Sequence, residues 1–533
     1  HERLKEEKEY LEAQLVVLKK NEERKNSNWS LFEDTGLDFL YEDSTIEKDL
    51  DIFGKNSLYQ YISVCNTVEG RKILSGYLTK STYNAKLICS RQEAVKEFID
   101  KEEIATELET LSMMIGIKNG MNHKRWYESF ILYLSMKKTL LGASINLISI
   151  ILPIITILTF LLSLKGQIDL IIPCVLAIIQ LLISYYVSYK DKEIVSKVFR
   201  FCSNIRGYYQ MIRFIENADL ESEYLNGLKR KISNEYKTSK GIEKLDHLND
   251  AFLIQGNPYI HILLQMIFMY DIHCIRQLEK WKKQYADSMM TLFQVIGEME
   301  AIMSLSVLGR DRKATFPEFE EENIVYMDVH DMSHPLISQE SAITNSIRLV
   351  DGAEIITGSN MSGKTTFLRT IGLNMILAYA GAPVCATSMK LSFMRLFTSM
   401  RVQDDVSKGI SSFYAEVLRI KEMVEYSKTN KPMVVLVDEI FKGTNSADRI
   451  AGAKEIIKSL NKKHIIAVVS THDFELCNLV ENREIRGNNH HFKEFYEKDR
   501  IYFDYKIQEG RCKTTNAKHI LRMAGLLDNK ELK

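Results

Sequence analysis

Hydrophobic and polar positions follow different rhythms along the chain, and each rhythm predicts a different kind of element. Residues 1–27, dense in Glu, Lys and Leu, predict a solvated helix or short coiled coil. From Asp49 onward, Leu58, Tyr61, Ile62 and Cys65 recur at helical spacing, as do Ile73, Leu74, Tyr77 and Leu78. This predicts a pair of amphipathic helices with a polar break near Asn66 and Thr67, followed by a helical stretch around Arg91, Gln92, Ala94 and Val95. Residues 190–310 return to mixed helical periodicity with few glycines or prolines, which predicts long helices. From Phe316 the rhythm shortens into strands and turns. Ile355–Thr357, Leu391–Thr398, Met433–Val437 and Ile465–Thr471 each read as a strand, and the last two are apolar enough for buried parallel strands.

Two stretches break every amphipathic rhythm. Leu140–Leu164 is 25 residues without a charge, and Leu170–Ser188 is also uncharged. At 1.5 Å per helical residue, each is long enough to cross about 30 Å of hydrocarbon. The first holds sixteen Leu, Ile and Phe residues. At roughly −0.3 to −0.6 kcal/mol each, these contribute about −5 to −10 kcal/mol to insertion. Pro153 and Pro173 are tolerable in membrane helices, where neighbours re-satisfy the freed carbonyls. The expectation is a transmembrane helical hairpin over 140–188; the alternative is a very apolar buried hairpin of a soluble domain. Lys137, Lys138, Lys190, Lys192, Lys197 and Arg200 flank the pair, whereas the connection between the spans carries only Lys165 as a basic residue. Basic flanks stay cytoplasmic, so a multi-pass cell-membrane protein with both termini on the cytoplasmic side is expected. Tyr185, Tyr186 and Tyr189 fit an interfacial aromatic belt.

Charge adds little to this picture. The chain of 533 residues balances 70 basic against 70 acidic side chains, so no global field announces a nucleic-acid partner. Local clusters such as Lys229-Arg230-Lys231 and Lys280, Lys282 and Lys283 suit phosphate contact, though exposed helix faces commonly look the same. The eight cysteines include no C-x-x-C pair and read as reduced thiols of a cytoplasmic compartment. His330 and His334 are four apart, but Pro335 and the intervening residues argue against a helical metal pair. The chain starts at His1 and not at a methionine, so residues are expected to precede it.

The candidate chemistry begins after the strand at Ile355. Gly358-Ser359-Asn360-Met361-Ser362-Gly363-Lys364-Thr365, followed by Thr366, matches G-x-x-x-x-G-K-[ST] between a strand and a helix. Glycines at both ends let backbone N–H groups turn toward phosphate oxygens, and the following helix directs its positive end at them. Lys364 suits the β- and γ-phosphates of ATP, and the Thr365 hydroxyl suits Mg²⁺. The apolar run 433–437 ends in Asp438-Glu439, an acid to hold Mg²⁺ and an acid to activate water. Ile465–Thr471 delivers His472 to the same sheet edge, near the γ-phosphate.

Taken together, TGSNMSGKTTFLRTIG, DDVSKGISSFYAE, VVLVDEIFKGTNSAD and STHDFEL resemble the ATPase domain of the MutS family, within the wider ABC-type ATPases. SLYQYISVCNTVEGRKILSGYL is similar to the opening of that family's helical core. The resemblance implies that Lys364 and Thr365 bind phosphate and Mg²⁺, with Asn360 over the γ-phosphate. Asp438 and Glu439 are then the Mg²⁺ and water-activating acids, and His472 a switch histidine. It implies further that Ser411 is offered to the ATP of a second subunit, giving a homodimer with composite sites, and that Asn516 through Leu526 helps subunits associate. Departures are visible too. Ser359 and Ser362 replace the usual Pro and Gly, Arg449 stands where Gly is common, and nothing before the core resembles a mismatch-reading or connector domain.

The expected architecture is a P-loop ABC-type α/β ATPase domain with a doubly wound, mostly parallel sheet, preceded by an all-α core that carries the membrane hairpin. The expected boundaries are 1–44 for an N-terminal helical segment, 45–139 and 189–314 for the two parts of the core, 140–188 for the hairpin and 315–533 for the ATPase domain. The expected function is a membrane-anchored dimeric ATPase that moves helical arms, on branched or membrane-associated DNA and not as a mismatch reader. The alternative is a mechanical ATPase acting on a membrane or protein partner without DNA. A transporter fits poorly, because neither span contains an ionisable residue.

Overall fold

The computed structural model describes residues 2–119, 123–137, 139–202, 205–233, 237–254, 257–320, 324–401, 412–441, 446–497 and 500–512. The chain divides into two compact units, the first from 1–19, 64–73 and 101–301, the second from 20–63, 74–100 and 302–533. Parts of the segment expected as one helical core, residues 45–63 and 74–100, therefore count with the second unit.

Every described element of the first unit is helical. Its centre is an aromatic cluster in which Phe130 stacks on Phe201 with ring centroids 4.6 Å apart, and Phe293 meets both edge-on. Such pairs add about 1 kcal/mol each beyond the area they bury. The polar break at Asn66-Thr67 has a tertiary cause. The fully buried Glu300 accepts the backbone N–H of Asn66 at 2.9 Å and of Thr67 at 3.2 Å, while Thr67 Oγ1 caps the N–H of Gly70 at 3.1 Å.

The two uncharged stretches form helices Ala143–Leu164 and Ile171–Cys202, the second running well past its apolar part. Only 17% of the most apolar window in Ala143–Leu164 is buried, against 83% in the long helix Tyr270–Asp311. Both helices are long and apolar enough to cross a membrane. The second, however, turns most of its apolar side chains into the core.

Among the described residues, the second unit holds ten strands: β1 (Glu318–Glu320), β2 (Tyr326–Met332), β3 (Asn345–Val350), β4 (Gly352–Thr357), β5 (Ser388–Ser392), β6 (Arg395–Ser399), β7 (Met433–Asp438), β8 (Ile465–Thr471), β9 (Gly487–Glu497) and β10 (Arg500–Glu509). They form a four-stranded sheet in the order β1-β5-β2-β3 and a six-stranded sheet in the order β10-β9-β4-β8-β7-β6. The larger sheet is parallel from β9 to β6, with β10 added antiparallel at its edge. Its central strands are buried along their whole length. Ile355, Val435, Val437, Ala467 and Val469 form one apolar layer with Ile420, Met423 and Ile457 from the crossover helices.

The single strand expected over Leu391–Thr398 is two strands in different sheets. The buried Tyr379 explains the split: its hydroxyl donates to Ser392 O at 3.1 Å and accepts the Met394 N–H at 3.0 Å. It thus takes two backbone groups that a continuous ladder would have used.

Candidate active site

Strand register brings the candidate residues together. Thr357 on β4 pairs with Thr471 on β8, and Ser470 on β8 pairs with Asp438 on β7. The residues that follow, Gly358, His472 and Glu439, therefore leave three adjacent parallel strands at one carboxyl edge, where open α/β sheets bind ligands.

Backbone geometry then shapes the loop. Gly358 has φ +153, and a Cβ there would lie 2.8 Å from Ser362 Oγ and 3.0 Å from Phe492 O. Gly363 has φ +104 and caps the helix Lys364–Ala380, whose N-terminus follows the loop directly. Lys364 is buried, and its ammonium donates to the carbonyls of Gly358 at 2.9 Å and Ser359 at 2.8 Å. Ser359 Oγ and Ser362 Oγ are buried without a hydrogen-bond partner, donors left for a ligand that a phosphate would satisfy. Met361 sits at φ +70 with its side chain 84% exposed.

The Thr365 hydroxyl donates to Asp438 Oδ2 at 2.7 Å, and Ser470 Oγ bonds the other carboxylate oxygen. A hydroxyl and a carboxylate converging at the end of the phosphate loop are the oxygen donors that Mg²⁺ takes, so these residues fit that ion. Glu439 follows at φ +59, an uncommon conformation for a residue with a side chain, and its N–H is held by Ser470 O at 3.0 Å. Its carboxylate lies against His472 Nε2. Strain at such a residue is kept only where the surroundings over-determine it, here the β7–β8 pairing.

A cavity of about 480 Å³ opens over the loop, lined by Asn360, Lys364, Thr365, Asp438 and Glu439 at one end. Its other end is lined by Met332, His334, Ile343, Asn345 and Tyr505, none of which the sequence analysis singled out for this site. The volume suits a nucleotide-sized ligand. Burial, with Arg369 nearby, pushes the His334 imidazole down to about 4, so it is neutral at pH 7. His330, four residues earlier, stands exposed on β2. Nothing local marks Tyr505 as a site residue. It reaches the cavity through β10, and its ring lies 3.1 Å from where a Cβ on Gly363 would be.

Asp49 is a further missed residue. Fully buried, it accepts from Thr398 Oγ1 at 2.8 Å, Met400 N at 3.1 Å and Arg401 N at 2.9 Å, tying residues 46–49 to the end of β6. Arg449, noted above as a departure, makes a two-pronged bond to Asp473, 2.9 Å on both arms, beside His472. Glu416 accepts the Phe441 N–H at 2.6 Å. Ser411, residues 442–445 and the segment from Asn516 to Leu526 lie outside the described residues.

Residues 354–529 match the family model of MutS domain V. Over 258 residues the chain is 31% identical to the DNA mismatch repair protein MutS of Bacillus licheniformis, covering 47% of this chain and 29% of that protein. The corresponding figures are 28% over 260 residues for MutS of Staphylococcus carnosus and 29% over 262 for MutS of Acholeplasma laidlawii, covering 47% and 48% of this chain and 29% and 31% of those proteins. The matched part thus spans about three-tenths of the length of these relatives. The similarity is thus to one domain of these proteins, MutS domain V, and it lies in the C-terminal part of the chain.

Proposed function

We propose that the protein is a membrane-anchored, homodimeric ATPase that couples ATP binding and hydrolysis to movement of its helical arms on DNA. The observation that carries the ATPase part is the convergence of Lys364, Thr365, Asp438, Glu439 and His472 on one sheet edge beneath a nucleotide-sized cavity. In this reading the loop N–H groups, Ser359, Ser362 and Lys364 bind the phosphates, with the base among Met332, His334, Ile343 and Tyr505. Thr365 and Asp438 hold Mg²⁺, which when bound neutralises charge on the β- and γ-phosphate oxygens. Glu439 accepts a proton from the attacking water, and His472 steadies that carboxylate. Ser411 completes the site of a second copy, and the hairpin 140–188 anchors the protein with the ATPase domain in the cytoplasm.

In this scheme Arg449 is a positioning residue. Its fork on Asp473 holds the loop that presents His472. Arg449→Ala removes two charged hydrogen bonds that are mostly shielded from water, worth about 1.5 kcal/mol in total here and roughly tenfold in kcat. The KM for ATP is expected to stay near the parental value, because no phosphate contact is lost, and Arg449→Lys is expected to recover part of the rate. A steady-state titration with ATP checks both. A raised KM at unchanged kcat would instead place Arg449 in binding.

A second reading, in which the partner is a membrane or another protein, is favoured by the balanced charge of the chain and the exposed apolar hairpin. The ATPase rate of detergent-solubilised protein with duplex, branched and single-stranded DNA, against Glu439→Gln as blank, separates the two. Stimulation by one DNA form supports the first. A rate indifferent to every form favours the second.

A further inference from the structure

The helix Pro258–Phe268 packs against both hairpin helices. Asn257 caps its start, accepting the N–H groups of Tyr259 and Ile260 at 3.2 and 3.3 Å. Met269, in the left-handed region at φ 51, ends it and turns the chain directly into Tyr270–Asp311. The distribution of its side chains is inverted relative to a helix on a protein in water. Tyr259, Ile260, Ile262, Leu263 and Phe268 are exposed, whereas Gln265 is buried. Inward, Gln265 bonds Ser184, Gln265 Nε2 lies 2.9 Å from His261 Nε2, and that nitrogen lies 2.9 Å from Asp271 Oδ1.

The hairpin has the same inversion. Ser149, Thr156, Gln180 and Ser184 are buried, with Thr156 and Gln180 bonded to each other, while Leu147, Ile151, Leu158 and Ile178 are exposed. Leaving such apolar side chains in water forgoes the free energy that burying each of them would supply. In hydrocarbon the arrangement is favourable, because polar atoms find partners inside the bundle and apolar ones face lipid.

Bonding partners rank these elements by depth. Along Ala143–Leu164, Asn146, Ser149 and Thr156 lie progressively further from the basic flank. His273 lies 3.1 Å from Ser149 O, and Arg276, one turn later, reaches back to Ser149 Oγ but also donates further toward the flank, to Asn146 Oδ1 at 3.1 Å and Asn146 O at 2.7 Å. The long helix therefore starts deep and leaves toward the flank. The helix that feeds it has 11 residues, about 16 Å at 1.5 Å per residue, which is half of a hydrocarbon core of about 30 Å. It cannot span, so it enters and leaves on one side.

We propose that Pro258–Phe268 and the first turns of Tyr270–Asp311 form a re-entrant helix–turn–helix. This third membrane element sits in the leaflet next to the basic flanks and carries lipid on its Ile260–Leu263–Phe268 face. The proposal rests on the membrane reading of the hairpin, and its test separates the two. In full-length protein with all eight native cysteines replaced by Ser, single cysteines are introduced as Leu263→Cys, Phe268→Cys, Leu158→Cys and Lys283→Cys. Fragmented native membranes are treated with a membrane-impermeant maleimide, before and after dissolution in SDS. The expected result is loss of labelling at Leu263→Cys and Phe268→Cys matching that at Leu158→Cys, recovered in SDS, with Lys283→Cys labelled throughout. Labelling of Leu263→Cys and Phe268→Cys like Lys283→Cys, while Leu158→Cys stays protected, would overturn the re-entrant helix and leave the hairpin standing. Free labelling of Leu158→Cys as well would overturn the membrane reading itself.

Discussion

Glu439→Gln is expected to retain ATP and to hydrolyse it on the order of 10²–10⁴-fold more slowly, the range that a positioned general base contributes. The amide keeps the size of the carboxylate and can still bond His472, so the loop after β7 keeps its shape and the strained φ of +59 is undisturbed. What is lost is the ability to take a proton from water. Thr365 and Asp438 are untouched, and affinity for ATP should stay near the parental value. Single-turnover hydrolysis of radiolabelled ATP, alongside equilibrium binding of a fluorescent analogue, checks both halves. A variant that turns over at the parental rate removes Glu439 from the chemistry. One that loses binding as well would mean that its contact with His472 is needed to build the site.

Lys364→Ala should act at the earlier step. The ammonium is buried and held by two loop carbonyls, so it meets phosphate oxygens with little side-chain entropy left to lose. Truncating a desolvated charged partner costs about 3 kcal/mol, roughly 100-fold in Kd. Lys364→Arg is not expected to rescue binding, because the planar guanidinium does not fit a cradle shaped around a point charge. Titration with a fluorescent ATP analogue measures the loss, and a thermal melt of the same sample separates it from misfolding. Unchanged affinity would place the phosphates elsewhere in the cavity.

The phosphate loop was legible because its requirements are local. Gly358 and Gly363 must tolerate positive φ and close neighbours, and both lie within a few residues of the lysine they position. Asp438-Glu439 and His472 were legible because a short apolar run predicts a buried strand and therefore a strand end. The far wall of the cavity was not. His334, Ile343 and Tyr505 come from three separate segments, and no period or motif relates them. Arg449 was visible only as a departure, and its partner Asp473, 24 residues later, gives it a role.

The same division applies to the helical unit. Hydropathy alone isolates Ala143–Leu164, because length and lack of charge are properties of the segment. It does not single out the helix Pro258–Phe268, too short to stand out and interrupted by His261 and Gln265. Only packing reveals that these two polar residues face inward while the apolar ones face out.

By itself, then, the sequence determined which stretches become strands, long helices and phosphate loop, since hydrophobic period, glycine conformation and capping act over a few residues. The tertiary structure decided that β4, β8 and β7 are neighbours in matching register, that Tyr379 splits one apolar run between two sheets, and which residues complete the cavity. Those outcomes depend on pairings between residues far apart in the chain, whose energies exist only once the surrounding core has closed.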